Sequence, residues 1–343
     1  MKLKYFEINP RDTLFFGDGT PFKKEISNWI QGKYIPFPST FYGAVFSEIL
    51  RQNINKIKNP KYINKDKFNE YLSNILVLKN IFIKYNGDCY IPAPLDLYPQ
   101  EHYHYPLMSQ YKKNNGKYDI IIPDKCLERK EKYFINLNDI KHYIYKDLNK
   151  IKLRKESDFF IRESKVGIKL ENRQAVDKHL YRLDMTRFKN EYCRFVIECE
   201  LNEEYSIEKS IIKLGGESKT ADLRLTDKKY ESLEKFKKIH NFDNENSYNY
   251  KVVFTSPVVF KNPIPNRYKI IGNHMGKRIL IGGFDYKTGR QKKETGFDAG
   301  SIMIIKSDRK KDNIDELIND EYKIKGFGNY IMFPLKEDFT DEN

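Results

Sequence analysis

Two strand–helix–strand units, one in each half of the chain, constrain its fold more than any other feature. Lys2–Ile8 alternates apolar and polar residues, with Leu3, Tyr5 and Ile8 in the apolar set, and reads as a first strand. Asn9–Lys24 follows as a glycine-containing loop. Pro38-Ser39-Thr40 then opens a helix: a Ser or Thr N-cap precedes Phe41, Ala44, Val45, Ile49 and Leu50, which share a helical stripe. Gly43 inside that helix costs about 1 kcal/mol of propensity, which suits close packing or close approach to a ligand. Ile75–Lys84 and Cys89–Pro92 read as a hairpin turned by Asn86-Gly87.

Between the units the pattern is weaker. Asn53–Glu70 reads as helix or loop, Pro92, Pro94 and Pro99 break regular structure, and Tyr111–Tyr118 reads as polar and flexible. Leu137–Lys155 reads as a short connecting helix region. The second unit begins near Tyr192. Strands are expected at Tyr192–Leu201, Ala221–Leu225, Tyr250–Ser256, Ser301–Lys306 and Ile324–Phe333, with Arg278–Ile281 leading into Gly282-Gly283. A short amphipathic stretch is expected at Ser206–Leu214 and a charged helix at Asp227–His240. This order predicts an α+β chain of two ferredoxin-like modules, the topology of the RNA-recognition motif. The expected division is 1–190 and 191–343, with Phe159–Phe188 as an extended insertion between the halves.

Lys+Arg is 62 and Asp+Glu 48, so the formal charge is 62 − 48 = +14. Such a balance favours a polyanionic partner, because neutralising phosphates releases counterions. An A·T-rich genome, with Lys as the common surface residue, gives the same composition. Cys89, Cys126, Cys193 and Cys199 form no C-x-x-C pair and have no His at zinc-ligand spacing, so reduced thiols are expected and no metal or cofactor. The N-terminus has no apolar signal core, and no apolar run approaches the ~20 residues that span a bilayer. A cytoplasmic protein without membrane contact is the expectation. Tyr and Phe number 25 and 23, a supply of rings that serves base stacking or an ordinary core equally.

Four glycine-centred segments carry the functional reading: "RDTLFFGDGTPF" at Arg11–Phe22, "PFPSTFYGAVFSEIL" at Pro36–Leu50, "LGGE" at Leu214–Glu217 and "IGGFDYKTGRQKKETGFDAGSI" at Ile281–Ile302. With "KVGIKLENRQAVDKHLYRLDMTRF" at Lys165–Phe188, their order and spacing resemble the Cmr subunit-three family of repeat-associated mysterious proteins (RAMPs) of type III-B CRISPR complexes. The resemblance spans nearly the whole chain. It departs at Gly17, where the family often has Arg, and at Phe284, where it often has Trp. The type III-D counterpart is related but usually longer. The resemblance implies two lobes of RNA-recognition-like modules with a hairpin thumb. It implies a non-catalytic subunit that grips the repeat-derived 5′ handle of the guide RNA (crRNA). It also implies contacts with the large polymerase/cyclase-like subunit and a backbone subunit, and with target RNA indirectly.

The residues fit such a role. Gly282-Gly283 can bring backbone N–H groups close to phosphate, and Lys287, Arg290, Lys292 and Lys293 follow with charge. A solvated charged face is the plain alternative. Gly215, Gly216 and Lys219 form a second such group, and Arg11 and Lys23 flank the first loop. Arg11 reaches toward an anion, or pairs with Asp12 or Asp18. Ser39 and Thr40 cap the helix, present its N-terminus to a phosphate, or both. Arg162, Lys165, Arg173, Lys178 and His179 lie in the insertion, which by analogy is a thumb wedged between nucleotides, and otherwise a disordered basic loop. "KGFGNYIMF", Lys325–Phe333, resembles a ribonucleoprotein signature with one inserted residue. Phe327 and Tyr330 are then stacking candidates, against a glycine turn leading into a core strand.

Two other classes remain open. A metal-independent RAMP endoribonuclease that processes guide precursors needs a general base, for which His102, His104 and His179 are the candidates. No paired carboxylate array, P-loop, dinucleotide fingerprint or nucleophile elbow accompanies them. A purely architectural subunit predicts weak, salt-screened RNA binding.

Overall fold

A computed structural model describes residues 1–17, 29–64, 67–101, 103–171, 174–228, 230, 233, 236, 248–265, 268–282, 293–307 and 314–335. The chain is α+β and rich in strands. Its largest sheet has eight strands, in the order Arg154–Lys155, Tyr133–Asn136, Asp88–Pro92, Leu76–Tyr85, Arg194–Leu201, Lys2–Pro10, Thr220–Thr226, Ser210–Lys213. A second sheet orders Lys269–His274, Ile302–Ser307, Tyr248–Phe254 and Tyr330–Pro334. Neighbours in both sheets are antiparallel. Four strands of the first sheet, Lys2–Pro10, Leu76–Tyr85, Arg194–Leu201 and Thr220–Thr226, numbered by chain order, lie as 4-1-3-2, and so do the four of the second.

The first sheet crosses the expected division at 190/191. Arg194–Leu201 lies between Lys2–Pro10 and Leu76–Tyr85, and the edge strand Ser210–Lys213 extends the same sheet. The physical reason is burial on both faces: Phe195, Val196, Ile197 and Cys199 are all inaccessible, as a central strand requires.

The helix Pro38–Gln52 covers one face of this sheet. Phe41, Val45 and Ile49 pack there with Phe6, Ile8, Phe195 and Ile197. Tyr5, Phe82 and Val196 on the opposite face share a core with Val253, Ile302, Ile331 and Phe333 of the second sheet. An RNA-recognition motif leaves one sheet face open for bases; in this chain that face is closed by sheet-on-sheet packing.

Charged groups inside this junction are paired. Asp96 accepts from the Tyr111 and Tyr143 hydroxyls at 2.8 and 3.0 Å and pairs with the Lys251 ammonium. Glu7 meets Lys84 at 2.6 Å, Tyr230 Oη at 2.9 Å and Arg194 at 3.1 Å. The glycine loop before the last strand closes the joint. Gly326 and Gly328 have φ of +91° and +70°, and the Asn329 amide donates to the carbonyls of Lys79 and Gly326.

Several local expectations change. Tyr111–Tyr118 belongs to a hairpin, Gln110–Asn114 with Lys117–Ile121, turned by Asn115 and Gly116 at φ +47° and +76°. This is the same Asn-Gly turn chemistry as at Asn86-Gly87. The last strand starts at Tyr330, and Asp320–Ile324 is a short helix capped by the Asn319 side chain. The insertion is a long hairpin, Phe160–Glu171 with Gln174–Phe188, joined in parallel by Trp29–Gln31. The expected helix at Asp227–His240 falls largely outside the described residues. No helix among the described residues is long and apolar enough to cross a membrane.

Glu156, at the root of this hairpin, has its carboxyl pushed up to about 7 by burial, against the pull of Lys132 and Arg162. The folded state therefore holds its proton where the unfolded chain releases it. Stability from this group is fully present below the ordinary carboxyl range and is lost as pH rises through about 7. Thermal midpoints measured from pH 5 to 8 should fall with pH, and Glu156→Gln should flatten that slope; equal slopes would remove Glu156 as its source.

Candidate nucleic-acid interface

Three of the four glycine segments meet at one cleft of about 660 Å³. Its walls are Phe15, Phe16 and Gly17 from the first segment, Phe37, Ser39, Thr40 and Gly43 from the second, and Gly215 and Gly216 from the third. The edge strand adds Ile211, Ile212 and Lys213.

The helix Pro38–Gln52 supplies the floor. Its N-cap is Phe37, not Ser39 or Thr40, and no side chain caps it. Pro38 takes the first helical position, which needs no N–H donor. Ser39 and Thr40 therefore sit inside the first turn, where the Thr40 N–H donates to the Phe37 carbonyl at 2.9 Å and the Ser39 N–H has no i−4 acceptor within the helix. That turn contains no acidic residue, so the positive end of the helix dipole faces the cleft uncompensated by its own side chains. Thr40, Gly43, Ala44, Ser47 and Arg51 line the cleft at spacings of three and four, a small and polar stripe opposite the core stripe. A Cβ at Gly43 would meet nothing within 4 Å, so this glycine keeps space open and does not serve packing. Gly43→Ala should raise stability by about 0.5–1 kcal/mol while weakening RNA binding, read by denaturant midpoint and by RNA anisotropy. A gain in stability with unchanged RNA affinity would mean that no ligand approaches the helix there.

The third segment closes the roof. Gly215 has φ +80°, and a Cβ there would lie 2.5 Å from the Phe15 carbonyl oxygen. The Gly216 N–H donates to that same oxygen at 2.8 Å. The double glycine thus lets two loops touch, and the Gly216 N–H is spent on protein, contrary to a direct phosphate contact.

The expected cations sort differently. The Arg11 guanidinium binds Asp222, with Nε 3.0 Å from Oδ1, and not Asp12, while Asp18 lies outside the described residues; Arg11 does not line the cleft. Lys219 donates to Asp12 at 2.6 Å and holds that exposed carboxyl below its usual range. Lys165 reaches Glu217 of the third segment at 3.6 Å. Arg162 donates to the Gly32 carbonyl at 3.0 Å and lies 4.3 Å from the Tyr34 ring centroid. Sequence reasoning missed the cations in the cleft wall itself, Arg51 and Lys213. Arg51 holds the Glu48 carboxyl below its usual range through hydrogen bonds of 2.9 and 2.6 Å. The three-and-four spacing along the helix was the signal for Arg51; Lys213 directly precedes the "LGG".

Phe327 is 1% exposed, packs edge-on against Tyr322 at 5.3 Å, and shares a cluster with Ile279 and Ile281. Its ring faces protein, which corrects the stacking assignment. Tyr330 is also buried, and its hydroxyl contacts the Ile314 N–H and Asp315. Gly282 and Lys293 end the paired strands Arg278–Ile281 and Glu294–Phe297, where a Cβ at Gly282 would lie 3.8 Å from Lys293 Cγ. Lys23, Arg173, Gly283, Lys287, Arg290 and Lys292 lie outside the described residues. Lys178 and His179 are placed only as backbone in the strand Gln174–Phe188.

The hairpin rises beside the cleft. Leu14 and Thr186 exchange backbone hydrogen bonds of 2.7 Å, and the Lys33 N–H donates to the Phe16 carbonyl at 2.8 Å.

The sequence profile of a family described as CRISPR-associated protein (Cas_Cmr3) matches residues 6–335. No curated protein sequence matches the chain. Among solved structures, a chain of the type III-B Cmr-beta complex bound to cognate target RNA and AMPPnP is similar. It has TM-score 0.55 and 18% identity, over 88% of this chain and 86% of that one. A chain of Cmr-beta bound to cognate target RNA has TM-score 0.53 and 18% identity, over 95% and 96%.

Proposed function

Since the chain belongs to the Cas_Cmr3 family of CRISPR-associated proteins, we propose that it is a non-catalytic RNA-binding subunit of a type III-B effector complex, holding the 5′ handle of the guide RNA. The observation that carries this reading is the convergence of three glycine segments on one cleft at an uncapped helix N-terminus. A single-stranded RNA backbone needs such a channel, with N–H groups and cations for phosphate and rings for bases. Phe15 and Phe37 supply rings, and Lys213 supplies charge beside an Arg51 paired with Glu48.

The 4-1-3-2 order in both sheets supports two ferredoxin-like modules, the first running to Thr226 and the second starting at Tyr248. With both inner faces buried together, RNA lies along loops and the hairpin rather than across a sheet. The hairpin then acts as a thumb beside the handle. The large polymerase/cyclase-like subunit and the backbone subunit are the proposed protein partners, with target RNA engaged through the complex in the cytoplasm.

The absence of catalysis is part of the proposal. Of the candidate bases, His104 is exposed, His102 lies outside the described residues, and His179 is placed only as backbone. His142 lies 3.4 Å from Asp147, and His274 is buried enough to hold its imidazole neutral at lower pH than usual. None of His104, His142 and His274 lines the cleft.

The test is photocrosslinking of the reconstituted complex, using a guide with photoreactive bases in its 5′ handle. Crosslinks at Phe15–Gly17, Ser39–Gly43 or Gly215–Gly216 are the expected result. Crosslinks confined to other subunits would leave an architectural role and remove the handle-holding one.

A further inference from the structure

We propose that Trp29 is a stacking platform for one unpaired nucleobase of the bound RNA, on the face of the hairpin beside the cleft. The proposal rests on the RNA-binding reading above. Trp29 is the chain's single tryptophan and is 52% exposed. An exposed indole is ordinarily free to rotate, but this one is fixed. Its Nε1 donates to Asp184 at 2.9 Å, and Asp184 is buried, accepting also from Ser164 and Arg182 at 2.9 and 3.2 Å. Burial opposes charge on Asp184, yet these donors hold its carboxyl below the usual range.

The fold commits more than one hydrogen bond to this arrangement. The three-residue strand Trp29–Gln31 adds in parallel to the hairpin, and Arg162 clamps the next carbonyl, that of Gly32. A Cβ at Gly32 would lie 2.8 Å from the Asp184 carbonyl oxygen, so only glycine lets the segment come this close. Arg182 stands in register with Trp29 on one side and Val166 on the other, with its guanidinium 4.8 Å from the indole centroid. Val166 is 60% exposed. The row therefore presents an apolar side chain, a cation and a fixed indole, all open to solvent. A base has a π-face for the indole, and its phosphate has a partner in Arg182; stacking of this kind is tolerant of sequence. A core role for Trp29 would bury the ring, and a solvated role would not engage a buried carboxylate.

The full-length chain is titrated with a short single-stranded RNA while anisotropy of the labelled RNA and emission of Trp29 are followed together. Quenching that saturates with the anisotropy is expected, and abasic substitution at one position should abolish the quench. Trp29→Ala should weaken binding about tenfold, the loss of one base–aromatic stack, and Trp29→Tyr should retain most of the affinity. RNA binding with unchanged emission, and parental affinity in Trp29→Ala, would overturn the platform and leave the RNA-binding role standing. No anisotropy change at any concentration would overturn both. Emission that responds to an added partner subunit but not to RNA would make the row a protein contact, which also overturns the platform.

Discussion

Replacing Asp96 by alanine should lower stability by about 3–5 kcal/mol, the cost of stranding a buried charge. Asp96 has no exposed surface, and Lys251 is 3% exposed. The carboxylate is the anion opposite Lys251 and takes two tyrosine hydroxyls besides. Burial pushes the Tyr111 and Tyr143 hydroxyls well above their ordinary range, so both stay donors at any working pH. Without Asp96, the ammonium faces the rings of Tyr111, Tyr143 and Phe333, at 4.7, 4.7 and 5.8 Å from their centroids. Cation–π attraction returns about 1–2 kcal/mol of that loss at best. The double variant Asp96→Leu with Lys251→Met removes both charges and should recover much of the stability. Urea midpoints of parent, single and double variants are the measurement. A double variant no more stable than Asp96→Ala would show that the cluster contributes by shape and hydrogen bonding, not by charge pairing.

The cluster also explains which parts of the fold were legible. Lys2–Pro10, Pro38–Gln52 and the hairpin at Asn86-Gly87 follow from local pattern and turn chemistry, and they form as expected. The division of the chain does not follow locally. Lys2 pairs with Leu201, and Lys251 pairs with Asp96; no window of sequence contains both partners. The same holds for the ring assignments. "KGFGNYIMF" has the composition of a base-stacking strand, but its glycines adopt positive φ and its Phe327 and Tyr330 enter the core, because the face they would need is filled. The site was half legible. Three glycine segments meet at the cleft, Gly215 because a loop that approaches another backbone tolerates no Cβ, Gly17 and Gly43 with open space beside them. The cations were not legible, because whether a Lys or Arg is free depends on a carboxylate distant in sequence. Arg11 has Asp222, and Lys219 has Asp12. Trp29 escaped notice for a similar reason: its acceptor, Asp184, is 155 residues away in sequence, on the hairpin strand that pairs with Trp29–Gln31.

Gly215→Val should be the most damaging single change to RNA binding. At φ +80° a β-branched residue is strained by about 1–3 kcal/mol, and its Cβ would be driven into the Phe15 carbonyl oxygen and the Phe16 ring. Backbone cannot yield as a flexible side chain can, so the first segment must move. Phe15 and Phe16 are cleft walls, and the Phe16 carbonyl also holds Lys33 at the base of the hairpin. One added side chain therefore displaces the roof of the cleft and the root of the thumb together. Crosslinking to the guide handle should fall at least tenfold, corresponding to about 1.4 kcal/mol or more of lost binding. The overall fold should persist with a lowered urea midpoint, because Gly215 is itself exposed but the Phe16 ring that its new side chain would strike belongs to the sheet core. Circular dichroism and the urea midpoint check the fold, and crosslink yield on the reconstituted complex checks the site. Gly17→Ala is the matched control: it lines the same cleft, a Cβ there meets nothing within 4 Å, and its fold should be unaffected. Full crosslinking by a folded Gly215→Val would show that the RNA does not pass between these loops, and the cleft would lose its claim to the guide handle.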